Sequence, residues 1–145
     1  MKTIDLNCDM GESFGAYSIG MDDQVMKHIS SANIACGWHA GDPLVMDKTI
    51  RMAVENNVGI GAHPGYPDLL GFGRRKMALL PHEITNYLIY QVGALKAFCR
   101  VHQTEMQHVK PHGALYLDAV EDKTTATAIA KGIMALDPDL RFVAL

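Results

Sequence analysis

With 145 residues, 48% of them hydrophobic, the chain has material for one domain around one core and too little for two. Its 13 basic and 16 acidic residues leave a net charge of -3, which excludes the basic field needed for nucleic acid or anionic lipid and favours small-molecule or protein partners. No apolar run reaches membrane-spanning length and the opening MKTIDLNCDMGE lacks a signal-peptide core, so no membrane association and a cytoplasmic location are expected.

The first strand is predicted over 3–7 (TIDLN), followed by a Gly-rich stretch over 11–20 and a short helix near 22–29. A second strand over 32–36 (ANIAC) runs into a turn where Asp42 caps a helix opened by Pro43. Met46, Ile50, Ala53 and Val54 then recur at helical spacing until Asn56 and Asn57 stop it. A third strand is predicted over 58–62 (VGIGA). The loop over 63–80 is rich in Gly and Pro and carries GFGRR, more ordered chemistry than a linker needs. Pro81 and Glu83 open a longer helix whose buried face is marked by Ile84, Leu88, Val92, Leu95 and Cys99. A strand over 107–110, a helix over 122–136 ending before Asp137, and a strand over 141–145 complete the pattern.

Strands alternating with helices, the strands near-continuously apolar, indicate an α/β fold with a parallel sheet covered by helices, as a single domain over 1–145. A complete barrel of such units takes about 250 residues, so an incomplete circle of about five strands is expected. Its edges would be covered by a second copy, another subunit or a further portion of the same protein.

Four polar clusters each follow a strand: IDLNCDMGE (4–12), NIACGWHAGD (33–42), VGIGAHPGY (58–66) and HVKPHGALY (108–116). In a parallel α/β protein these ends converge on one rim, where such folds keep their chemistry. Asp9, His39 and His63 come from successive strand ends and could hold a divalent metal that activates water or polarises a carbonyl; alternatively Asp9 caps a turn and the histidines bond loop backbone. Lys110 and His112 share a face around Pro111, where the lysine can hold an anion and the imidazole move a proton. Arg74 and Arg75 suit phosphate or carboxylate, or are surface charge. Asp42 is expected to cap, Glu12 has no evident capping role, and Tyr116 either donates to a substrate oxygen or packs. His28, His82, His102 and His108 are expected to be structural. Cys8, Cys36 and Cys99 lack paired spacing and are expected to be reduced thiols.

NCDMGESFGAY, ANIACGWHAGDP, GAHPGYPDLLGFGRR and VKPHGALY, in that order, closely resemble the motifs of the LamB/YcsF family, and the resemblance runs over the whole chain. The resemblance implies a (β/α) barrel of the glycoside hydrolase/deacetylase type. It also implies a role as the A component of the bacterial ATP-dependent 5-oxoprolinase, which with subunits B and C opens 5-oxoproline to L-glutamate using ATP with Mg2+. Trp38 stands where the family has Phe and Leu117 where it has Asn. Family members continue further, through a strand ending in His-Gly-Asp, so the chain is expected to be short relative to them.

A lactam is an unactivated amide, so its opening calls for an anion holder, a proton shuttle and a grip on the substrate carboxylate. On this reading Asp9, His63, Lys110 and His112 are the catalytic candidates. Asn7, Glu12, His39, Arg74, Arg75 and Tyr116 are the substrate contacts, and Asp9, His39 and His63 the metal ligands. Two other readings remain: a stand-alone metal-dependent hydrolase or deacetylase, and a non-catalytic subunit that binds substrate for its partners.

Overall fold

The computed structural model describes residues 3–145. One five-stranded parallel sheet runs in chain order through β1 (Asn7–Met10), β2 (Ser31–Ala35), β3 (Gly59–His63), β4 (Met106–Val109) and β5 (Arg141–Phe142). The helices are α1 (Asp22–Val25), continued by a 3-10 turn over Met26–His28, then α2 (Pro43–Glu55), α3 (Pro81–Val101), α4 (Gly113–Glu121) and α5 (Lys123–Leu136). This is the α/β architecture expected, an open arc of a (β/α) barrel.

Register divides the sheet into two unlike faces. Cα partners run Asp9 to Asn33, Asn33 to Gly61 and Gly61 to His108, so side chains in this row share the inner face with Asn7, Ser31 and His63. The alternate residues Met10, Ala32, Ile34, Ile60, Ala62 and Val109 lie on the outer face and join the buried core with α2, α3 and α5. The strands are therefore not apolar throughout: their outer face is, and their inner face carries the polar row. At Gly61 that row leaves no room for a side chain, because the His108 imidazole occupies the space a Cβ would take.

On α2, Asp42 caps as expected, its Oδ1 accepting from the Leu44 and Val45 amides at 2.8 and 2.9 Å, and Met46, Ile50 and Ala53 are buried. Val54 instead points to solvent and Thr49 takes the inward position. All five residues expected on the inner face of α3 are buried, and each large aliphatic among them contributes about 1.5–3 kcal/mol by leaving water.

Beyond shifts of about one residue, two strands and one helix depart from the expected elements. The first strand is 7–10 rather than 3–7: Ile4 and Leu6 are exposed, and pairing with β2 begins at Asn7, whose neighbours alternate polar inward and apolar outward. The last strand covers two residues of the expected 141–145, although the Val143 amide still donates to the Val109 carbonyl at 2.9 Å. Helix α4 has no counterpart among the expected elements. The loop over 64–80 is ordered by its contacts: the Tyr66 hydroxyl donates to Asp118 on α4 at 2.7 Å, Lys76 reaches the same carboxylate at 2.9 Å, and the Ala114 amide donates to the Gly73 carbonyl at 2.9 Å.

Candidate functional site

The ends of β1, β3 and β4 and the loops that leave β1, β2 and β4 bring Asp9, Glu12, His39, His63, Lys110 and His112 together, as their strand-end positions predict. Asp9 Oδ1 accepts from Lys110 Nζ and from Asn33 Nδ2, both at 2.7 Å, and its Oδ2 lies 3.3 Å from His63 Nε2. Burial raises the affinity of Asp9 for a proton, but His63, Lys110 and Asn33 more than offset it and hold the carboxyl far below the ordinary range. Asp9 is a committed carboxylate.

Two imidazoles are oriented by backbone carbonyls. His63 Nδ1 donates to the Lys110 carbonyl at 2.7 Å, and His112 Nε2 donates to the Phe72 carbonyl at 2.7 Å. Their remaining nitrogens, His63 Nε2 and His112 Nδ1, face each other at 2.9 Å. His39 stacks flat on His112 with ring centres 3.7 Å apart, and its Nε2 meets Glu12 Oε1 at 3.2 Å. Burial, reinforced by His39 and His63, pushes His112 down to about 4; burial also lowers His39, against the pull of Glu12. Near neutrality His112 is therefore uncharged and available as an acceptor.

Glu12, His39, His63 and His112 each offer one ligand atom, all within 4.8 Å of one another, a grouping that could hold a metal. The metal set expected from sequence is Asp9, His39 and His63. Two of these belong to the cluster, while Asp9 stands beside it, tied to Lys110 and Asn33.

Asn33 joins the site without having been marked by the sequence. Its amide is fully used: Nδ2 donates to Asp9 and to Asn7, and Oδ1 accepts from Asn7 Nδ2 at 3.1 Å and from His108 Nε2 at 2.7 Å. The only sequence signal is a lone amide inside the apolar run ANIAC. Asn7 thus reaches the site through Asn33, and the buried His108 joins the same row by bonding the Asn33 side-chain oxygen.

Arg75 is engaged by Asp68, which it contacts through Nε at 3.0 and 3.1 Å and through its terminal nitrogen. Arg74 has no acidic partner among the described residues; its guanidinium lies 5.7 Å from the centre of the Phe72 ring, which packs edge-on against His39 and His112. Arg74 is therefore the arginine at the border of the site. Tyr116 is half-buried on α4. The thiols are poor nucleophiles: burial pushes Cys36 up to about 12 and Cys99 up to about 11, and burial with Asp9 raises Cys8. No helix among the described residues is long and apolar enough to cross a membrane.

The sequence model of the LamB/YcsF family matches residues 4–145. A protein of Pyrococcus horikoshii, named as the A component of 5-oxoprolinase, is 61% identical over 142 residues, covering 98% of this chain and 56% of its own length. One of Natranaerobius thermophilus with the same name is 59% identical over 145 residues, covering 100% and 56%. The crystal structure of a lactam utilization protein from Thermus thermophilus superposes with a TM-score of 0.98 at 50% identity, over 99% of this chain and 58% of that one. The chain spans about 56% of the length of the curated relatives it matches.

Proposed function

The chain belongs to the LamB/YcsF family, and from that membership we propose that it carries the strand-end site of the 5-oxoprolinase A component, opening 5-oxoproline to L-glutamate with ATP hydrolysis. The observation that carries this reading is a lysine, a carboxylate and two oriented imidazoles in one cluster, in a chain whose relatives bear that name.

In this reaction the lactam oxygen takes the terminal phosphoryl group of Mg-ATP and ADP leaves. Water then adds to the activated carbon, phosphate departs, and the C–N bond opens with a proton delivered to nitrogen. Lys110, paired with Asp9, holds the developing oxyanion or the transferred phosphoryl group. His112 accepts the proton of the attacking water, with its Nε2 proton fixed by Phe72 so that Nδ1 is the acceptor. His63 receives and returns that proton across the 2.9 Å contact. Arg74, beside Phe72 and with no acidic partner among the described residues, grips the substrate carboxylate. Subunits B and C, a homo-oligomeric contact and a cytoplasmic setting belong to the same proposal; the naming of the relatives as one component of several and the unpaired Cys8, Cys36 and Cys99 fit it.

A second reading is a metal-dependent amide or sugar hydrolase that needs neither ATP nor partners, and the Glu12, His39, His63 and His112 cluster is what favours it. The test is turnover of 5-oxoproline by the full assembly. The lead reading expects glutamate formation that requires both ATP and this chain, and that falls at least about 100-fold in His112→Ala. Undiminished turnover in His112→Ala, or turnover by B and C alone, overturns it. ATP-independent hydrolysis abolished by a chelator establishes the second reading instead.

A further inference from the structure

We infer that Glu12, His63 and His112, with His39, form a site for one divalent transition cation of the zinc class. A carbonyl oxygen only accepts, so the Lys110 and Phe72 carbonyls fix the protons of the neutral rings on His63 Nδ1 and His112 Nε2. What remains at His63 Nε2 and His112 Nδ1 is a pair of lone pairs pointed at each other across 2.9 Å. Two lone pairs at that distance repel unless a positive centre lies against both.

A bridging proton would satisfy that pair and the Asp9 carboxylate, whose Oδ2 lies 3.3 Å from His63 Nε2, and nothing more. It would leave unexplained why a second carboxylate and a third imidazole are brought to the same place. Glu12 Oε1 lies 3.7 Å from His112 Nδ1 and 3.2 Å from His39 Nε2, and the ligand atoms of the four residues fall within 4.8 Å of one another. A metal ion uses all four. The outer contacts agree: metal-binding histidines ordinarily donate their other N–H to a carbonyl or carboxylate, as His63 and His112 do here. His39 lacks that support, because its buried Nδ1 has no partner and its ring is held by stacking on His112. It is the weakest of the four donors.

Three imidazole nitrogens and one carboxylate oxygen suit Zn, Co, Ni or Mn, whereas Mg prefers an all-oxygen shell and keeps its waters. The Mg that accompanies ATP is therefore a different ion from the one this site would hold. Such an ion would polarise a bound carbonyl or water beside Asp9 and Lys110. With the ion bound, His63 Nε2 and His112 Nδ1 are ligands in place of the proton relay of the ATP-dependent reading, so the site is independent of that reading and rests on the donor geometry alone.

The test needs no substrate. The full chain is stripped with a chelator, then titrated with Zn2+ and Co2+ by calorimetry, with visible absorption reporting the Co2+ ligand field and circular dichroism the fold. One ion per chain is expected, with a nitrogen-rich Co2+ spectrum and no displacement by equimolar Mg2+. Affinity should fall about 10- to 100-fold or more in His63→Gln and Glu12→Gln, and less in His39→Gln. Failure of the folded wild-type chain to take up either ion overturns the site. So does uptake that His63→Gln and Glu12→Gln, both folded, leave unchanged. Imidazole 15N spectra of the stripped chain give a further check: loss of the lone-pair signals of His63 Nε2 and His112 Nδ1 on adding Zn2+ supports the site, and a shared proton unaffected by Zn2+ overturns it.

Discussion

Asp9 and Lys110 are 101 positions apart in the chain and 2.7 Å apart in space. The parallel sheet makes that meeting possible, since β1 and β4 end at the same rim with two strands between them. The pair is partly open to solvent, so its effect on stability should be small, about 0–1 kcal/mol. Its effect on chemistry should be large. If the proposed 5-oxoprolinase role holds, Lys110→Met and Asp9→Asn each lower kcat/KM for 5-oxoproline by about 100- to 1000-fold, and the double variant by little more than either alone, because the two act as one unit. Steady-state kinetics on the assembled enzyme decide it, and additive losses would mean that the two side chains work separately.

Most of this rim is legible in the chain without its fold, and the reason is positional. His39, His63, Lys110 and His112 each follow an apolar run and sit beside turn chemistry, so their convergence follows from parallel topology alone. Asn33 is hidden because its partners, Asp9 and His108, come from β1 and β4, and nothing local marks an amide in a strand as satisfied from both sides. Helix α4 is hidden for a different reason. His112 supplies no side-chain cap, glycine is its first residue, and Leu117 and Val120 are exposed, so GALYLDAVE shows no one-sided apolar stripe. The first strand is expected too early because hydropathy favours TIDLN, whereas β1 is built from alternating inward polar residues.

The Asp68 and Arg75 pair predicts an acid-sensitive contribution to stability. Arg75, helped by the Gly71 amide and opposed by burial, holds Asp68 at about 2, below its ordinary 3.8. A carboxyl that is more acidic in the folded chain stabilises it fully above the unfolded value and loses that contribution as pH falls through the folded one. The melting-temperature gap between wild type and Asp68→Asn should therefore be constant from neutrality to about pH 4 and shrink towards about pH 2. A gap that is flat over that range would show that the ion pair contributes nothing.

Tyr66 anchors the 64–80 loop to α4 through a buried hydrogen bond to Asp118. Removing the hydroxyl leaves a buried carboxylate oxygen without its donor, while Lys76 still serves the other oxygen. Tyr66→Phe should cost about 1–3 kcal/mol in chemical denaturation. Asp118→Asn, which keeps an acceptor for the phenol but loses the charge facing Lys76, should cost less. The reverse order would place the stabilisation in the ion pair rather than in the phenol contact.

Gly73 separates backbone strain from crowding at the site. Its φ of +65° favours glycine, and a Cβ there would lie 2.7 Å from His39 Cβ and 2.8 Å from His112 Cδ2. Gly15 has a similar φ of +54° with no atom within 4 Å of the position a Cβ would take. Alanine at either position therefore meets the left-handed backbone penalty of about 1–2 kcal/mol, but only at 73 must the stacked imidazoles move as well. Gly15→Ala should lower stability by about that amount and leave kcat/KM near wild type. Gly73→Ala should lower stability further, and should also reduce turnover by at least about tenfold, since displacements near 1 Å at reacting groups are costly. Equal losses of stability and undiminished turnover in both variants would mean that the His39 and His112 stack can shift freely, and that its tight seating on the loop is not what aligns the site.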